Sequence, residues 1–221
     1  MTRLVIFDCD GTLSDGQAAI CHAMDQAFAL LDLPAPDHHQ VRRIVGLSLP
    51  HAVRKLAPDL ADEVVVEAVA AYKQAFFGMR QQGLVREELY PGMADLVRNL
   101  HGAGFALGVA TGKSDRGLTS TLALHGLDPF FSSLQTADRH PSKPDPSMLL
   151  AAMDDVLAPP HSTVMVGDTV FDMHAARAAG THALGVAWGY HEAEELLAAG
   201  ASAVAASAEE LEELIHAITT K

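Results

Sequence analysis

Apolar runs alternate with amphipathic stretches along most of the chain, and this pattern predicts strands alternating with helices. LVIF at residues 4–7 is a short apolar run typical of a buried strand, and similar runs recur at 105–111, 130–135, 162–168 and 182–189. Between them, apolar residues lie three or four apart, as in helices with one buried face. The predicted core helices span residues 93–100, 114–125, 144–156, 169–179, 192–199 and 207–218. This order predicts an α/β fold with a mostly parallel, Rossmann-like sheet and helices on both faces.

The alternation is interrupted between the first two predicted strands. Only helical spacing occurs in this part of the chain, in segments at residues 20–31, 37–45, 49–57 and 61–82. A helical block of this size in place of a simple crossover indicates an inserted subdomain. We therefore predict an α/β core domain of residues 1–14 and 90–221, with an all-helical cap of residues 15–89.

Composition and charge narrow the range of partners. The chain has 221 residues, is 49% hydrophobic and carries a formal net charge of −13. Without a run of lysine or arginine, such an acidic chain is not expected to bind nucleic acid. No apolar run approaches the roughly 20 residues of a membrane span, and no secretory signal is recognisable. With only two cysteines, we expect a cytoplasmic protein. We also expect a monomer or a homodimer.

Polar residues stand at the ends of three predicted strands. Asp8 and Asp10 follow the first strand, one residue apart and directly before a glycine. Thr111 ends the second strand, and Asp168 ends a later one. Because ligands of open α/β sheets bind outside the carboxyl ends of the strands, we expect these side chains to share one site.

The pair Asp8 and Asp10 is suited to phosphoryl transfer. A carboxylate at the position of Asp8 can attack phosphorus and form an aspartyl-phosphate, which divides one difficult displacement into two easier ones. Asp10 can protonate the leaving oxygen and later deprotonate water, since the second half-reaction reverses the proton demand of the first. The alternative is a structural turn rich in aspartate.

Several acids in one crevice call for a cation. Asp168 and Asp172 lie four residues apart at a strand-to-helix junction, so both fall on one face of the first helical turn. Together with Asp8 they form an oxygen-rich set suited to Mg²⁺. Asp172 alone is also explained as an acid that favours the helix N-terminus.

Thr111 and Lys143 are candidates for binding a phosphoryl group. Thr111 offers a hydroxyl at a strand end, although a helix-start turn capped by Ser114 is an equally valid interpretation. Lys143 lies between two prolines, and its ammonium would neutralise charge in the transition state. A loop lysine by itself is more often simply solvated.

In order, DCDGT at residues 8–12, Thr111, Lys143 in KPDP and GDTVFD at 167–172 resemble the four motifs of the haloacid dehalogenase superfamily. The resemblance covers essentially the whole chain and is greatest to the phosphoglycolate-phosphatase-like branch with a helical cap. It implies a phosphatase that uses Mg²⁺ and acts on a small phosphorylated metabolite, of the phosphoglycolate or sugar-phosphate type.

The resemblance also implies roles for individual residues. Asp8 would be the nucleophile and a metal ligand, and Asp10 the acid and base, with its backbone carbonyl on the metal. Asp168 would bind Mg²⁺, and Asp172 would be a further ligand or lie just behind the ligands. The phosphate would be bound by Thr111, Gly112 and Lys143. Gly112 departs from the pattern, because many relatives carry asparagine there.

The predicted cap is expected to determine which substrate is accepted. Arg43 and Gly46 are the main candidates for substrate binding, although Gly46 could equally end a helix. The other basic candidates are Arg42, His51, Arg54 and Lys55. An anionic substrate tail such as a carboxylate would pair with such bases. Two alternatives stay open: a phosphomutase similar to β-phosphoglucomutase, and a non-catalytic binding member of the same fold.

Overall fold

A computed structural model describes residues 2–219, in which a six-stranded parallel sheet is covered by helices on both faces. In chain order the strands are β1 (Leu4–Phe7), β2 (Ser14–Asp15), β3 (Glu88–Leu89), β4 (Ala106–Thr111), β5 (Ser133–Thr136), β6 (Thr163–Gly167), β7 (His182–Val186) and β8 (Ala203–Ala205). The helices are α1 (Gln17–Leu30), α2 (His38–Arg43), α3 (Leu49–Leu56), α4 (Asp62–Gln81), α5 (Met93–Gly102), α6 (Asp115–Leu124), α7 (Ser147–Val156), α8 (Val170–Ala179), α9 (Ala193–Ala199) and α10 (Ala208–Thr219).

The main sheet has the strand order β5-β4-β1-β6-β7-β8, and every neighbouring pair is parallel. Alternate residues of β1 enter different apolar clusters, with Val5 and Phe7 in one and Leu4 and Ile6 in the other. The first cluster contains residues of α5, α6 and α10, and the second contains residues of α7, α8 and α9. The predicted fold class is therefore confirmed.

The register of the central strands brings the polar strand ends together. Phe7 pairs with Val109 of β4 on one side and with Val166 of β6 on the other. Asp8 follows directly, and its N–H donates to the Val166 carbonyl (2.9 Å). The carboxyl ends of β4, β1 and β6 therefore lie side by side at one edge of the sheet.

Helices α1 to α4 enclose an apolar cluster of their own, separate from the two clusters that flank the sheet. Its buried members include Met24, Phe28, Val41 and Val53. At the entry to this helical unit, β2 pairs antiparallel with β3, so the chain leaves and returns at one point. This ladder supports the boundaries at residues 14/15 and 89/90, which stay a prediction.

Some elements differ from the sequence expectation. The short strands β2, β3 and β8 were not predicted. The helix expected from residue 144 begins only at Ser147, because the preceding turn is held by the Asp145 carboxylate, which accepts from Ser147 N (2.9 Å).

Within residues 2–219, no helix is both long and apolar enough to cross a bilayer. Cys9 and Cys21 are both buried and both free thiols.

Candidate active site

The turn after β1 places Asp8 beside the end of β6. Gly11 has a φ of +83°, in the left-handed region that favours glycine. A Cβ at Gly11 would lie 2.1 Å from Asp168 Oδ2, so a side chain would not fit there. The backbone of residues 8–12 can approach Asp168 this closely only because residue 11 is glycine.

Asp8 is fully buried and only partly hydrogen-bonded. Its Oδ1 accepts from Cys9 N (2.7 Å), whereas Oδ2 accepts no hydrogen bond from any described residue. Lys143 Nζ lies 2.9 Å from this Oδ2 as an ion pair. Burial raises the pKa of Asp8, the Lys143 ammonium opposes the rise and Asp172 adds to it, so that the pKa reaches about 7. Oδ2, whose only partner is this ammonium, is the oxygen that could act as a nucleophile or a metal ligand.

Three buried carboxylates form a cluster in which one oxygen from each lies within 4.8 Å of the others: Asp8, Asp168 and Asp172. Asp168 Oδ1 accepts from the Thr12 hydroxyl and its Oδ2 from Tyr190 N, each at 2.9 Å. Burial raises the pKa of Asp168 well above its usual value, and the charges of the other two acids add to the rise. Hard oxygen ligands crowded in this way match the preference of Mg²⁺.

Asp172 is held more tightly than the other two acids of the cluster. Its Oδ2 accepts from Thr169 N (3.1 Å) and from the Thr169 hydroxyl (2.7 Å), which forms a capping box at the start of α8. Its Oδ1 accepts from Lys143 Nζ (2.6 Å). Both interpretations from the sequence therefore have a structural basis, because Asp172 caps a helix and also belongs to the acid cluster.

Lys143 is not a solvated loop residue. Its side chain is completely buried, and Nζ donates to Asp172 Oδ1 and to the Ala110 carbonyl (3.1 Å) while it faces Asp8. Burial alone would lower the pKa of this lysine, but Asp172 and Asp8 raise it above the usual value. The site therefore contains a permanent, positioned ammonium.

Two glycines bring the helical unit into contact with the sheet edge. Gly46 has a φ of +95°, and a Cβ there would lie 3.5 Å from Asp8 Oδ2. At Gly112, a Cβ would lie 2.4 Å from the Leu47 carbonyl oxygen. Both predicted substrate-binding glycines thus lie where the two units meet. Thr111, which accepts from Lys113 N (3.3 Å), is buried beside them.

The sequence and fold can now be compared with known proteins. The profile of the haloacid dehalogenase-like hydrolases matches residues 5–186. The chain belongs to this family. A probable phosphatase of Dickeya dadantii, IndB, is 37% identical over 223 residues that cover 99% of this chain and 95% of that protein. A phosphoglycolate phosphatase of Vibrio vulnificus is 30% identical, with 96% of each chain covered.

Solved structures agree with this assignment. A hydrolase from Pseudomonas syringae, 26% identical, superimposes with a TM-score of 0.86 over 98% of this chain and 99% of its own. The predicted membership in the haloacid dehalogenase superfamily is confirmed, and so is the predicted enzyme class, a phosphoric monoester hydrolase.

Two residues of this hydrolase that the sequence did not single out complete the surroundings of Asp10. Lys113 Nζ lies 2.9 Å from Asp10 Oδ1 and 2.7 Å from Glu87 Oε1. Glu87, which is 2% exposed, also accepts from Arg80 (2.6 Å) and from the Thr121 hydroxyl (3.0 Å). Lys113 follows the strand-end Thr111 by two residues, which was a usable signal, whereas Glu87 stands in a segment without any motif.

Burial and the contact with Lys113 together influence the charge state of Asp10. Burial raises the pKa of Asp10, and the Lys113 ammonium opposes the rise. The two effects have opposite sign, so Lys113 limits how readily Asp10 takes up a proton.

Most of the basic residues predicted to bind substrate have other partners in this hydrolase. Arg43 forms a two-pronged ion pair with Glu195 of α9, with both N···O distances at 2.6 Å. Arg54 pairs with Asp62, and His51 is hydrogen-bonded to the Ser48 hydroxyl. None of these three bases lines the large cavity beside Asp10. Their spacing in the sequence could not reveal which side of a short helix faces the site.

Proposed function

We propose that this hydrolase is a Mg²⁺-dependent phosphatase that acts on a small phosphorylated metabolite through an aspartyl-phosphate at Asp8. The observation that carries the proposal is the buried Asp8 Oδ2, which accepts no hydrogen bond from the described residues and lies between an ammonium and two further acids. A buried carboxylate oxygen whose only partner is one ammonium is under-satisfied, and such groups are typical of functional sites.

The acid cluster fits a divalent cation. Asp8 and Asp168 would hold Mg²⁺, with Asp172 and the backbone carbonyl of Asp10 as further candidates. When bound, Mg²⁺ would supply positive charge that offsets these acids and the phosphoryl oxygens.

In the first half-reaction, Asp8 Oδ2 attacks phosphorus and the bond from phosphorus to the ester oxygen breaks. Asp10 gives its proton to the departing oxygen, so the leaving group departs as a neutral alcohol. The Lys143 ammonium stabilises the charge on the phosphoryl oxygens, and the Thr111 hydroxyl and the Gly112 N–H would donate to them. Lys143 is suited to this role because two hydrogen bonds, to Ala110 and Asp172, and an ion pair with Asp8 hold it in place.

In the second half-reaction, Asp10 takes a proton from water, and the water oxygen attacks phosphorus. The bond between phosphorus and Asp8 breaks, which releases inorganic phosphate and restores the Asp8 carboxylate. Asp10 returns to its protonated form, so one residue serves both steps. The opposing effects of burial and of Lys113 on its pKa support such a double role.

A phosphomutase remains the competing function. Related mutases typically carry a glutamate directly before the aspartate of the last motif, where this chain has Gly167. A Cβ at Gly167 would lie 2.3 Å from Asp172 Cγ, so no side chain fits there without rearrangement. This favours hydrolysis.

The test is phosphate release from a panel of phosphorylated metabolites, including 2-phosphoglycolate, sugar phosphates and nucleotides, measured with Mg²⁺ and with EDTA. We expect release from at least one compound with Mg²⁺, and loss of that release in EDTA that returns when excess Mg²⁺ is added. Release that is unchanged by EDTA would contradict the metal dependence. Isomerisation of glucose 1-phosphate without release would instead indicate a mutase. Cytoplasmic localisation and a monomeric or homodimeric state remain proposals from the sequence.

A further inference from the structure

A cavity of about 490 Å³ lies between the helical unit and the sheet edge. Asp10 lines this cavity, whereas Asp8, Lys143 and Asp168 do not. Asp10 is the residue proposed to protonate the leaving oxygen. The space therefore adjoins the ester oxygen of a bound substrate and is where the rest of the leaving group would lie.

Aromatic and aliphatic side chains dominate the wall of this cavity. Tyr72, Phe76 and Phe77 of α4 line it, and the rings of Tyr72 and Phe76 stack with centroids 5.9 Å apart. The aliphatic lining residues include Ile20, Met24, Val41, Ile44, Val45 and Leu47. Such a surface gains free energy by covering apolar area, and stacked rings favour another flat ring.

Three of the four cations that line the cavity have carboxylate partners. Lys113 pairs with Asp10 and Glu87, and Arg80 pairs with Glu87. Lys73 Nζ lies 3.8 Å from an Asp138 carboxylate oxygen.

The remaining lining cation, Arg116, lies with its guanidinium 4.0 Å from the centre of the Phe77 ring. A carboxylate on the leaving group would have to compete with the present carboxylate partners of the first three cations or draw Arg116 away from the Phe77 ring, whereas an apolar ring would displace none of them.

We propose that the phosphate ester hydrolysed at this site has a leaving group built around an aromatic ring, which packs against Tyr72 and Phe76. This inference rests on the proposed function, because it names the substrate class for the same site. It differs from the phosphoglycolate type, whose leaving group is a two-carbon acid. The cavity volume lies within the roughly 300–1,000 Å³ typical of pockets for larger ligands, and a two-carbon acid would leave most of it unfilled.

The test compares kcat/KM for benzyl phosphate, ethyl phosphate and 2-phosphoglycolate in Mg²⁺. Benzyl alcohol and ethanol are similar in acidity, so the first two esters differ mainly in the ring. Burial of about 100 Å² of ring surface corresponds to a ratio of roughly 70 as an upper estimate. We expect benzyl phosphate to exceed both other esters at least ~10-fold. Equal values for benzyl and ethyl phosphate, or a preference for 2-phosphoglycolate, would overturn the inference.

A pair of variants on α4 tests whether the ring of the leaving group packs against Phe76. Phe76→Leu keeps an apolar side chain but removes the ring, and we expect it to lower the benzyl-to-ethyl ratio about threefold or more. Val66→Ala on the same helix is the control, because Val66 is 68% exposed and does not line the cavity. An unchanged ratio in Phe76→Leu would contradict the assigned position of the ring.

Two further measurements separate this inference from the proposed function. Acetyl phosphate has a small leaving group that needs no proton, so its Mg²⁺-dependent hydrolysis tests the function without the cavity. If it is hydrolysed while benzyl phosphate has no advantage, the function stands and the inference fails. Calorimetric titration with benzylphosphonate and ethylphosphonate tests the cavity without turnover. We expect the benzyl compound to bind at least ~10-fold more tightly, and equal affinities would overturn the inference even if no ester is hydrolysed.

Discussion

The sheet edge and the wall of the helical unit lie on two sides of the proposed substrate site but are built in different ways. At the sheet edge, Asp8, Lys143, Asp168 and Asp172 are completely buried and held by hydrogen bonds and ion pairs. At the wall, the rings and aliphatic chains of α1 and α4 present few polar groups of their own. Charges that act on phosphorus must be fixed before substrate arrives, whereas an apolar wall can change its shape without disturbing them.

Lys143 and Lys113, the two lysines of the site, show the same difference at the level of single residues. Lys143 is bound only to groups of the core, namely Ala110, Asp172 and Asp8. Lys113 instead joins Asp10 to Glu87, in the segment that returns from the helical unit. In the proposed mechanism the first lysine serves phosphoryl transfer, whereas the second joins Asp10 to the segment that returns from the helical unit.

Asp8→Asn is expected to have the largest effect, because it removes the nucleophile on the charged side of the comparison. We expect kcat to fall at least ~10⁴-fold for every substrate, since an amide cannot form the covalent intermediate. The melting temperature should not fall, because Lys143 keeps Asp172 as its partner and the repulsion among the three clustered acids is reduced. Asp59→Asn, an exposed change in the helical unit, is the control. Appreciable turnover in Asp8→Asn would rule out the aspartyl-phosphate mechanism.

Asp10→Asn is expected to have the next largest effect, and its size should depend on the leaving group. General acid–base catalysis contributes typically ~10²–10⁴-fold, and we expect a loss of that order with an alkyl phosphate. With p-nitrophenyl phosphate the loss should be at least ~10-fold smaller, because p-nitrophenolate departs without a proton. The measurement is kcat/KM for both esters in wild type and variant. Equal losses with both esters would remove Asp10 from the role of acid.

Glu87→Gln tests the connection between the two regions through stability. Breaking a buried ion pair costs roughly 3–5 kcal/mol, and we expect a loss near ~3 kcal/mol in the free energy of unfolding at pH 7 because Lys113 keeps Asp10. Burial raises the pKa of Glu87, but Lys113 and Arg80 outweigh it and lower the pKa below its usual value. The ionised form thus stabilises the fold above the unfolded pKa of about 4.3, and this contribution is lost as pH falls through the lower folded pKa.

The difference between wild type and Glu87→Gln should therefore be largest near neutral pH and shrink below about pH 4. Urea unfolding at several pH values measures it. The matched control is Glu88→Gln, because Glu88 is the neighbouring residue and is exposed. A difference that is constant from pH 3 to pH 7 would show that charge at residue 87 is not what stabilises this network.

The contrast between the sheet edge and the wall of the helical unit also explains which parts of the structure could be predicted from the sequence. The sheet was predictable because apolar runs and amphipathic stretches alternate, and the acids of the sheet edge follow directly from the strand ends. The strand β8 was missed because Ala203–Ala205 lies in an alanine-rich stretch that favours helix, and β2 and β3 are too short to leave a pattern.

The remaining parts of the site depend on distant contacts. Glu87 meets Lys113 across 26 residues of chain, and no local pattern encodes such a pairing. Arg43 lies on a six-residue helix, α2, whose facing could not be determined from spacing alone. Charge near the expected site was therefore visible in the sequence, but its partner was not.

Glu195→Gln is expected to have the smallest effect, because Glu195 belongs to neither region and lies where α2 meets α9. The Arg43–Glu195 pair is two-pronged, but the side chains are 32% and 40% exposed, and exposed ion pairs contribute little. The hydrogen bonds from Arg43 lower the pKa of Glu195 to about 2, so the pair stays charged throughout the range in which the enzyme would be assayed. We expect KM to rise no more than about threefold with kcat unchanged, and 0.5 M salt should bring the wild type towards the variant. Glu194→Gln, at the exposed neighbouring residue, should leave both constants unchanged. A fall in kcat as large as that expected for Asp10→Asn would mean that the contact between α2 and α9 controls the chemical step, and the separation between the charged edge and the adaptable wall would no longer hold.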